Sequence, residues 1–191
     1  MIQNKFYIVR HGESENNLLE IDSSKLENKD QFGLTGKGKK ETQTEAKKYK
    51  NFDIIISSPF RRAKETAMIF ARTSQCEVVE NDLLKEVCVG DFELCKYETS
   101  DAFFEKHSDE SIPYPNGESL LDAKKRADEF LIQINQIHKN KSILLVTHGW
   151  IVLFLMEHLD KNFDRKKAIK NYDDNNSRKV FELKRPKKFT Q

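Results

Sequence analysis

An arginine and a histidine follow a short run of β-forming residues near the start of the chain. The run ends at Val9, and Arg10, His11 and Gly12 come next. The planar guanidinium of Arg10 can hold a phosphate through two parallel hydrogen bonds. An imidazole is largely neutral near pH 7, so a ring nitrogen of His11 can act as a nucleophile. Gly12 lets the backbone turn sharply and come close to a ligand. A strand end that only carries surface polar residues would look the same, so this pattern does not decide alone.

Three further reactive side chains follow predicted strands. Arg62 and His148 come shortly after continuous apolar runs, and Glu86 follows a weaker strand at a greater distance. Strands alternate with helices along the chain, which predicts a largely parallel sheet whose strands deliver ligand-binding residues at their carboxyl ends. Chance can place one such residue at a strand end, but it rarely does so at four separate strands.

These side chains suit phosphoryl transfer. Arg10 and Arg62 can both bind a phosphate dianion, and the amide of Asn17 can add a donor. His148 can donate a hydrogen bond to a phosphoryl oxygen as charge develops there. Glu86 is the candidate general acid for the leaving alkoxide, which requires a pKa raised by burial or by negative charge nearby.

Two other uses of these residues have to be weighed. Arg61 competes with Arg62 for the phosphate contact, although the two lie on different faces of the predicted helix. Two histidines and a glutamate could also bind a metal. Metal ligands on one helix or in one loop are separated by only a few residues, however, and these three residues are far apart in the sequence. The arginines would also repel a cation. We therefore expect neither a metal nor another cofactor.

The bulk composition narrows the class of protein. The chain has 191 residues, 37% of them hydrophobic, which is enough for one α/β domain with a full core. Lys and Arg number 33 against 31 Asp and Glu, so the surface is densely charged but balanced. A protein built to bind nucleic acid would show a one-sided excess of basic residues. An odd number of cysteines without metal-like spacing fits a reduced, cytoplasmic setting.

Periodicity and turn residues predict the elements that position these side chains. A continuous apolar run indicates a strand buried on both faces, and apolar residues spaced three or four apart indicate a helix. No signal peptide or membrane-spanning stretch is expected. Residues 18–31 are expected to form a surface loop, and residues 184–191 a basic, flexible tail of a single domain spanning 1–191. The strands are predicted at 5–9, 52–56, 77–79, 142–146 and 179–183, and the helices at 36–50, from Ser58-Pro59 to about 72, at 99–107, at 119–138 and at 149–159.

Several blocks of the sequence resemble, in order, the histidine phosphatase superfamily of phosphoglycerate mutase-like proteins. The similar blocks run from Phe6 to Leu159, with 177–183 resembling the closing strand. They are Arg10-His11-Gly12-Glu13-Ser14 with Asn17, Leu34-Thr35 with Gly38, Ser58-Pro59-Phe60-Arg61-Arg62-Ala63-Lys64-Glu65-Thr66-Ala67, Leu84-Lys85-Glu86 with Gly90, Phe92 and Glu93, Asn116-Gly117-Glu118-Ser119, and Val146-Thr147-His148-Gly149.

The resemblance implies a three-layer α/β/α sandwich with a mostly parallel central sheet. It also implies a metal-independent mechanism through a phosphohistidine. The implied nucleophile is His11 and the implied proton donor is Glu86. The implied phosphate pocket contains Arg10, Arg62 and His148, with Gly12, Ser14 and Asn17 as further substrate-binding residues.

Two departures from the mutases bear on the activity. The mutases carry a tyrosine at the position where this chain has Val89. They also carry adjacent arginines that bind the substrate carboxylate, whereas residues 90–147 of this chain contain a single arginine, Arg126. We therefore expect a phosphomonoesterase that acts on a small phosphate monoester. A cofactor-dependent phosphoglycerate mutase, or a regulatory or phosphoprotein-binding relative with weak turnover, remains the alternative. We expect no nucleic-acid or membrane partner; the substrate's identity and the oligomeric state do not follow from the sequence.

Overall fold

A single five-stranded sheet forms the centre of the molecule. The computed structural model describes residues 4–107, 109–170 and 181–183, with only the backbone at 170 and 181–183. The strands are β1 (Lys5–Arg10), β2 (Ile54–Ser57), β3 (Val78–Glu80), β4 (Ser142–Thr147) and β5 (Phe181–Leu183). They lie in the order β3-β2-β4-β1-β5. β1 to β4 pair in parallel, and β5 pairs antiparallel with β1 at the edge.

Helices cover both faces of the sheet. They are α1 (Glu15–Leu19), α2 (Gly36–Ala46), α3 (Arg61–Ser74), α4 (Tyr97–Lys106), α5 (Leu120–Ile137), α6 (Gly149–Leu159) and α7 (Arg165–Lys170). Short 3₁₀ turns lie at Leu26–Asn28, Asp82–Leu84 and Gly90–Phe92. The prediction of a three-layer α/β/α sandwich with a mostly parallel sheet is confirmed.

Alternation along the strands divides the core into two apolar clusters. In β4, Ile143 and Leu145 pack with the buried faces of α5 and α6. Leu144 and Val146, which point to the opposite face of the sheet, pack with α2 and α3. All four side chains are fully buried. This is why β4 reads as a continuous apolar run rather than an alternating one.

The predicted starts of α2 and α5, at residues 36 and 119, agree with the structure to within one residue, and a side chain caps each helix. The hydroxyl of Thr35 accepts the amide of Gly38 at 2.9 Å, and Ser119 accepts that of Asp122 at 3.0 Å. Such a bond satisfies one of the backbone donors that a helix start leaves without an intrahelical partner. α6 has the predicted bounds, whereas α2 ends at Ala46, four residues before the predicted end.

The predicted start of α3 and the predicted surface loop are wrong. α3 begins at Arg61 after Phe60, because the hydroxyl of Ser58 lies 2.7 Å from His148 instead of capping the helix. Residues 18–31 contain the end of α1 and a 3₁₀ turn. Ser23 and Ser24 are 4% and 3% exposed, so this segment contributes buried polar groups rather than only surface.

The remaining predictions about the ends of the chain fall partly outside the described residues. The predicted last strand is present at 181–183, whereas residues 179–180 and the predicted tail at 184–191 lie outside them. None of the helices within 4–107 and 109–170 is both long enough and apolar enough to span a membrane.

Candidate active site

His11 lies directly after β1 and is held in one tautomer. Its backbone amide donates to the carbonyl of Thr147 in β4 at 2.9 Å, which fixes the strand end. Its Nδ1 lies 2.8 Å from the carbonyl oxygen of Gly12. A carbonyl oxygen can only accept, so Nδ1 carries the proton and Nε2 keeps its lone pair. Nε2 of His11 thus has the lone pair that the predicted role as nucleophile requires, and that role stays a prediction.

Arg62, in the first turn of α3, is the partner of that nitrogen. Its Nε donates to Nε2 of His11 at 3.1 Å, and its Nη2 donates to the carbonyl of Ser23 at 2.7 Å. The side chain is only 2% exposed and lies over the ring of Phe60 at 4.7 Å. Arg61, the competing arginine, is 46% exposed and pairs with Glu65 at 2.9 Å. The structure therefore favours Arg62 for the phosphate contact.

His148 lies behind Arg62 and is completely buried. Its Nδ1 is 3.3 Å from Nη2 of Arg62, which can only donate, and its Nε2 is 2.7 Å from the hydroxyl of Ser58. In this arrangement Nδ1 accepts and Nε2 donates. The predicted donation from His148 to a phosphoryl oxygen therefore requires a proton on Nδ1. The hydroxyl of Ser58 allows this, because it can donate to Nε2 as well as accept from it.

Burial and positive charge keep both histidines neutral. The pKa of His11 is lowered well below its ordinary value by burial first, then by the charges of Arg62 and Arg10. The pKa of His148 is lowered well below its ordinary value by burial and by Arg62. Burial also lowers the pKa of Arg62 to about 10, which leaves this guanidinium charged near pH 7. The site therefore combines neutral imidazoles with cationic guanidinium groups.

Two adjoining cavities open beside His11. One of about 320 Å³, which we name the Glu86 cavity, is lined by Arg10, His11, Asn17, Arg62 and Glu86 among others. The other, of about 410 Å³, which we name the Lys96 cavity, shares Arg10, His11 and Asn17. Asn17 is oriented by two bonds: its Oδ1 accepts the amide of Ser14 at 3.1 Å, and its Nδ2 donates to the hydroxyl of Tyr97 at 3.0 Å.

Glu86 is half-buried on a loop that Arg126 holds in place. Burial raises the pKa of its carboxyl, against the opposing effects of the Val87 amide and the nearby arginines. Arg126 donates to the carbonyls of Leu83 and Lys85 at 2.8 and 2.9 Å, and its Nη2 pairs with Glu118 at 3.0 Å. A raised pKa is what a general acid near neutral pH needs.

Gly12 and Ser14 have structural reasons for their residue type. The amide of Gly12 donates to the hydroxyl of Thr66 at 3.1 Å, and a Cβ at this position would lie 2.5 Å from Oγ1 of Thr42. The hydroxyl of Ser14 lies 2.7 Å from Oδ1 of Asn17. Neither residue lines the two cavities, so direct substrate binding by them stays a prediction, and Ser14 acts on the site through Asn17.

Several residues at the site are absent from the sequence-based set. Ser23 holds Arg62, Tyr97 holds Asn17, and Glu93 accepts the Ser24 amide at 2.7 Å, which fixes the segment that carries Ser23. Glu93 belongs to a block of family resemblance, which is the one signal that could have identified it. The polar segment around Ser23 has no periodicity that points to burial.

Among residues 4–107, 109–170 and 181–183, no three His, Cys, Asp or Glu side chains come together as a metal site would require. The cavities beside His11 are instead lined by the guanidinium groups of Arg10 and Arg62 and by the amide of Asn17, among others, whereas His148 lines neither cavity. Their combined chemistry suits an anion with several oxygens, and a nucleophilic nitrogen lies among them.

Several known proteins are similar to this chain in sequence. An uncharacterized phosphatase, PhoE, of Bacillus subtilis (strain 168) is 33% identical over 154 residues, which cover 80% of this chain and 75% of that protein. A probable phosphoglycerate mutase, GpmB, of Proteus mirabilis (strain HI4320) is 29% identical over 151 residues, 75% of this chain and 68% of that protein.

Solved structures agree. The crystal structure of a phosphoserine phosphatase from Entamoeba histolytica, in complex with 3-phosphoglyceric acid, matches with a TM-score of 0.71 at 26% identity and covers 89% of this chain and 85% of that one. The family profile of the histidine phosphatase superfamily (branch 1) matches residues 6–189. The resemblance seen in the sequence is thereby confirmed: this chain belongs to the histidine phosphatase superfamily.

Proposed function

We propose that this protein is a phosphomonoesterase that transfers a phosphoryl group from a small phosphorylated alcohol to His11 and then to water. One observation carries the proposal. The proton on Nδ1 of His11 is committed to the Gly12 carbonyl, so Nε2 keeps a lone pair at the edge of a cavity of sufficient size for a small ester. This lone pair accepts from Nε of Arg62 in the structure, and it becomes free to attack when that guanidinium turns to the phosphate. Relatives named as phosphatases support the same assignment.

The reaction follows in two displacements. Nε2 of His11 attacks phosphorus, the bond to the ester oxygen breaks, and Glu86 gives its proton to the leaving alkoxide. Water then attacks the phosphohistidine, Glu86 takes one proton from it, and the electron pair of the P–N bond returns to Nε2. Arg10 and Arg62 stabilise the charge on the phosphoryl oxygens during both steps, and Asn17 adds an amide donor.

Quenching the turnover of an aryl phosphate with alkaline denaturant tests the covalent step, because the P–N bond of a phosphohistidine is cleaved in acid and survives in alkali. Intact-protein mass measurement should find one added phosphoryl group, and peptide mapping should place it on His11. A His11→Ala variant that keeps the wild-type unfolding midpoint should show neither the adduct nor turnover. Retention of most of the activity in that folded variant would contradict the nucleophile assignment, and the absence of turnover in the wild type would favour a binding role.

Hydrolysis rather than isomerisation follows from what surrounds Glu86. A mutase must hold its dephosphorylated intermediate, which calls for cationic contacts to the carboxylate. The one arginine between residues 90 and 147, Arg126, bonds backbone carbonyls and Glu118 instead. With 3-phosphoglycerate and its bisphosphate primer we expect little isomerisation, whereas a suitable monoester releases phosphate. Isomerisation faster than phosphate release from every ester would replace the phosphatase with the mutase.

Metal independence is a further part of the proposal. In this proposal Arg10, Arg62 and His148 stabilise the negative charge of the phosphoryl group, so no divalent ion is needed to neutralise it. Dialysis against excess chelator should leave kcat and KM for an aryl phosphate unchanged. A lost rate that returns on adding Mg²⁺ or Zn²⁺ would contradict this.

A further inference from the structure

The Glu86 cavity extends past the candidate nucleophile to a surface that phosphate binding does not use. A general acid must touch the ester oxygen, so the alcohol part of a substrate leaves past Glu86 into the rest of this cavity. We name this surface the alcohol end. It consists of Asp22, Glu86, Tyr97, Asp101, Tyr114 and Trp150.

The alcohol end offers almost no positive charge. Apart from Arg10 and Arg62, no lysine or arginine lines the Glu86 cavity among the described residues. The Lys96 cavity adds Lys96, whose ammonium donates to the carbonyl of Leu19 at 2.7 Å. Asp22 lines the Glu86 cavity, and Asp101 lines both cavities. A second anionic group on the substrate would therefore lie among carboxylates.

Asp22 is a fixed part of this surface. Its Oδ2 accepts the hydroxyl of buried Ser100 in α4 at 2.6 Å. Burial raises its pKa to about 6, against the Ser100 bond, and the charges of Asp101, Glu86 and Glu93 raise it further. Asp22 is thus ionised above neutral pH, and the carboxylates around it already repel one another. This is the electrostatic environment that the alcohol part of a substrate would enter.

Aromatic rings form the apolar wall of the alcohol end. Tyr114 is 7% exposed, and its ring packs on Phe92 and Phe103 with centroids 6.1 and 5.2 Å apart. Trp150 stacks on Phe154 at 5.9 Å. These rings are held by their neighbours before any ligand binds, and their faces favour apolar or cationic groups over anions.

We propose that Asp22 and Asp101 determine the specificity of this site, and that its substrates are phosphate monoesters whose alcohol part carries no anionic group. This rests on the phosphatase function proposed above. Phosphoserine and 3-phosphoglycerate both carry a carboxylate, so this chain should process both poorly although relatives are named for them. Uncharged hydroxyl-bearing and amine-bearing alcohols are the favoured leaving groups.

Three esters of two-carbon alcohols test the proposal at matched size: 2-aminoethyl phosphate, 2-hydroxyethyl phosphate and 2-phosphoglycolate. At pH values above the raised pKa of Asp22, kcat/KM for 2-phosphoglycolate should be at least about tenfold lower than for 2-hydroxyethyl phosphate, a difference of about 1.4 kcal/mol. In an Asp22→Asn, Asp101→Asn double variant this ratio should shrink several-fold. Glu129→Gln removes an acid of α5 that lines neither cavity and should leave the ratio unchanged.

The outcomes separate this inference from the proposed function. Turnover of 2-phosphoglycolate as fast as of 2-hydroxyethyl phosphate would overturn the specificity proposal and leave the phosphatase standing. If no ester is hydrolysed, the proposed function fails, and calorimetric binding of the same three esters to His11→Ala then decides the specificity. Weaker binding of 2-phosphoglycolate supports the role of Asp22 and Asp101, and equal binding overturns it.

Discussion

The two ends of the candidate active site are built in different ways. At the phosphate end, His11, Arg62 and His148 are 5%, 2% and 0% exposed and are held by one another. They come from the ends of β1 and β4 and from the first turn of α3. At the alcohol end, Asp22 is half-buried on a loop and Asp101 is exposed on α4.

We expect this difference to separate the residues that carry out phosphoryl transfer from the residues that select the alcohol. Strand ends in a packed core hold reacting groups in one geometry, which phosphoryl transfer requires whatever the alcohol is. Loops and a short helix at the rim can change sequence without disturbing that geometry. Relatives that are named for different substrates, phosphoglycerate and phosphoserine, fit this arrangement. The phosphate end should therefore be far more sensitive to substitution than the alcohol end.

Arg62→Lys should have the largest effect. Lysine keeps one positive charge but cannot reach His11, Ser23 and the phosphate together as a guanidinium does. We expect kcat for an aryl phosphate to fall by about 10³-fold, the lower range for arginines that stabilise phosphoryl transfer. The matched control is Arg61→Lys, on the exposed side of the same helix. Similar losses in both variants would show that Arg62 is not special.

Glu86→Gln should have a smaller effect that depends on the leaving group. Alkyl esters need a proton on the departing oxygen, so we expect their kcat/KM to fall by about 10²-fold. Aryl esters leave without one and should lose much less. An unchanged rate with alkyl esters would remove Glu86 from the acid role.

The pH profile of kcat/KM gives a second test of the roles proposed for His11 and Glu86. The lowered pKa of His11 places the rise of kcat/KM below pH 6.5, because the imidazole must be neutral to attack. The raised pKa of Glu86 places the fall above pH 4.5, because the acid must be protonated. The profile for alkyl esters should be bell-shaped, and Glu86→Gln should lose the fall at higher pH while keeping the rise.

The sequence predicted the phosphate end better than the alcohol end for a physical reason. Arg10 is the last residue of β1, and His11 and His148 directly follow β1 and β4, so the run of β-forming residues shows where these side chains lie. Nothing local marks Asp22, because its segment is fixed from far along the chain by Glu93 and Ser100. Burial of such a segment depends on long-range hydrogen bonds rather than on periodicity.

Glycine positions show the same limit. Gly90 adopts φ +59°, and a Cβ there would lie 1.9 Å from the carbonyl oxygen of Pro115. The family resemblance marks Gly90 and Gly117, but only the folded chain shows that each glycine makes room for the other's segment beside Glu86. The start of α3 was mistaken because Ser58, a suitable cap by residue type, bonds His148 instead.

Arg126 holds the loop that carries Glu86, between the phosphate end and the alcohol end. Arg126→Lys should therefore lower the rate by an intermediate factor. Lysine cannot replace the fork that holds the carbonyls of Leu83 and Lys85 and pairs with Glu118. The loop that carries Glu86 should shift, and alkyl-ester kcat should fall by about tenfold. A loss of structure alone would lower alkyl and aryl rates equally. A displaced acid should instead lower the alkyl rate more and move the alkaline limb of the pH profile.

Asp22→Asn should have the smallest effect, on stability rather than on the chemical step. Moving a pKa from 3.8 to about 6 corresponds to about 3 kcal/mol at full strength. Screening at this half-buried carboxyl reduces that to about 1 kcal/mol. Well below pH 3.8, the ordinary pKa of this carboxyl, it is protonated in both folded and unfolded chains, so the variant and the wild type should unfold at similar temperatures.

As pH rises from 4 to 6, the unfolded chain loses the Asp22 proton first, and the folded wild type is destabilised relative to the variant. Asp22→Asn should therefore gain a few degrees in Tm over this window and keep the gain above it. Ser100→Ala removes the donor that favours the ionised carboxyl, so it should extend the upper end of the window to higher pH and leave the lower end unchanged. A Tm difference that does not change between pH 4 and 7 would show that ionised Asp22 does not destabilise the fold. The alcohol end would then be no more negative than an ordinary surface.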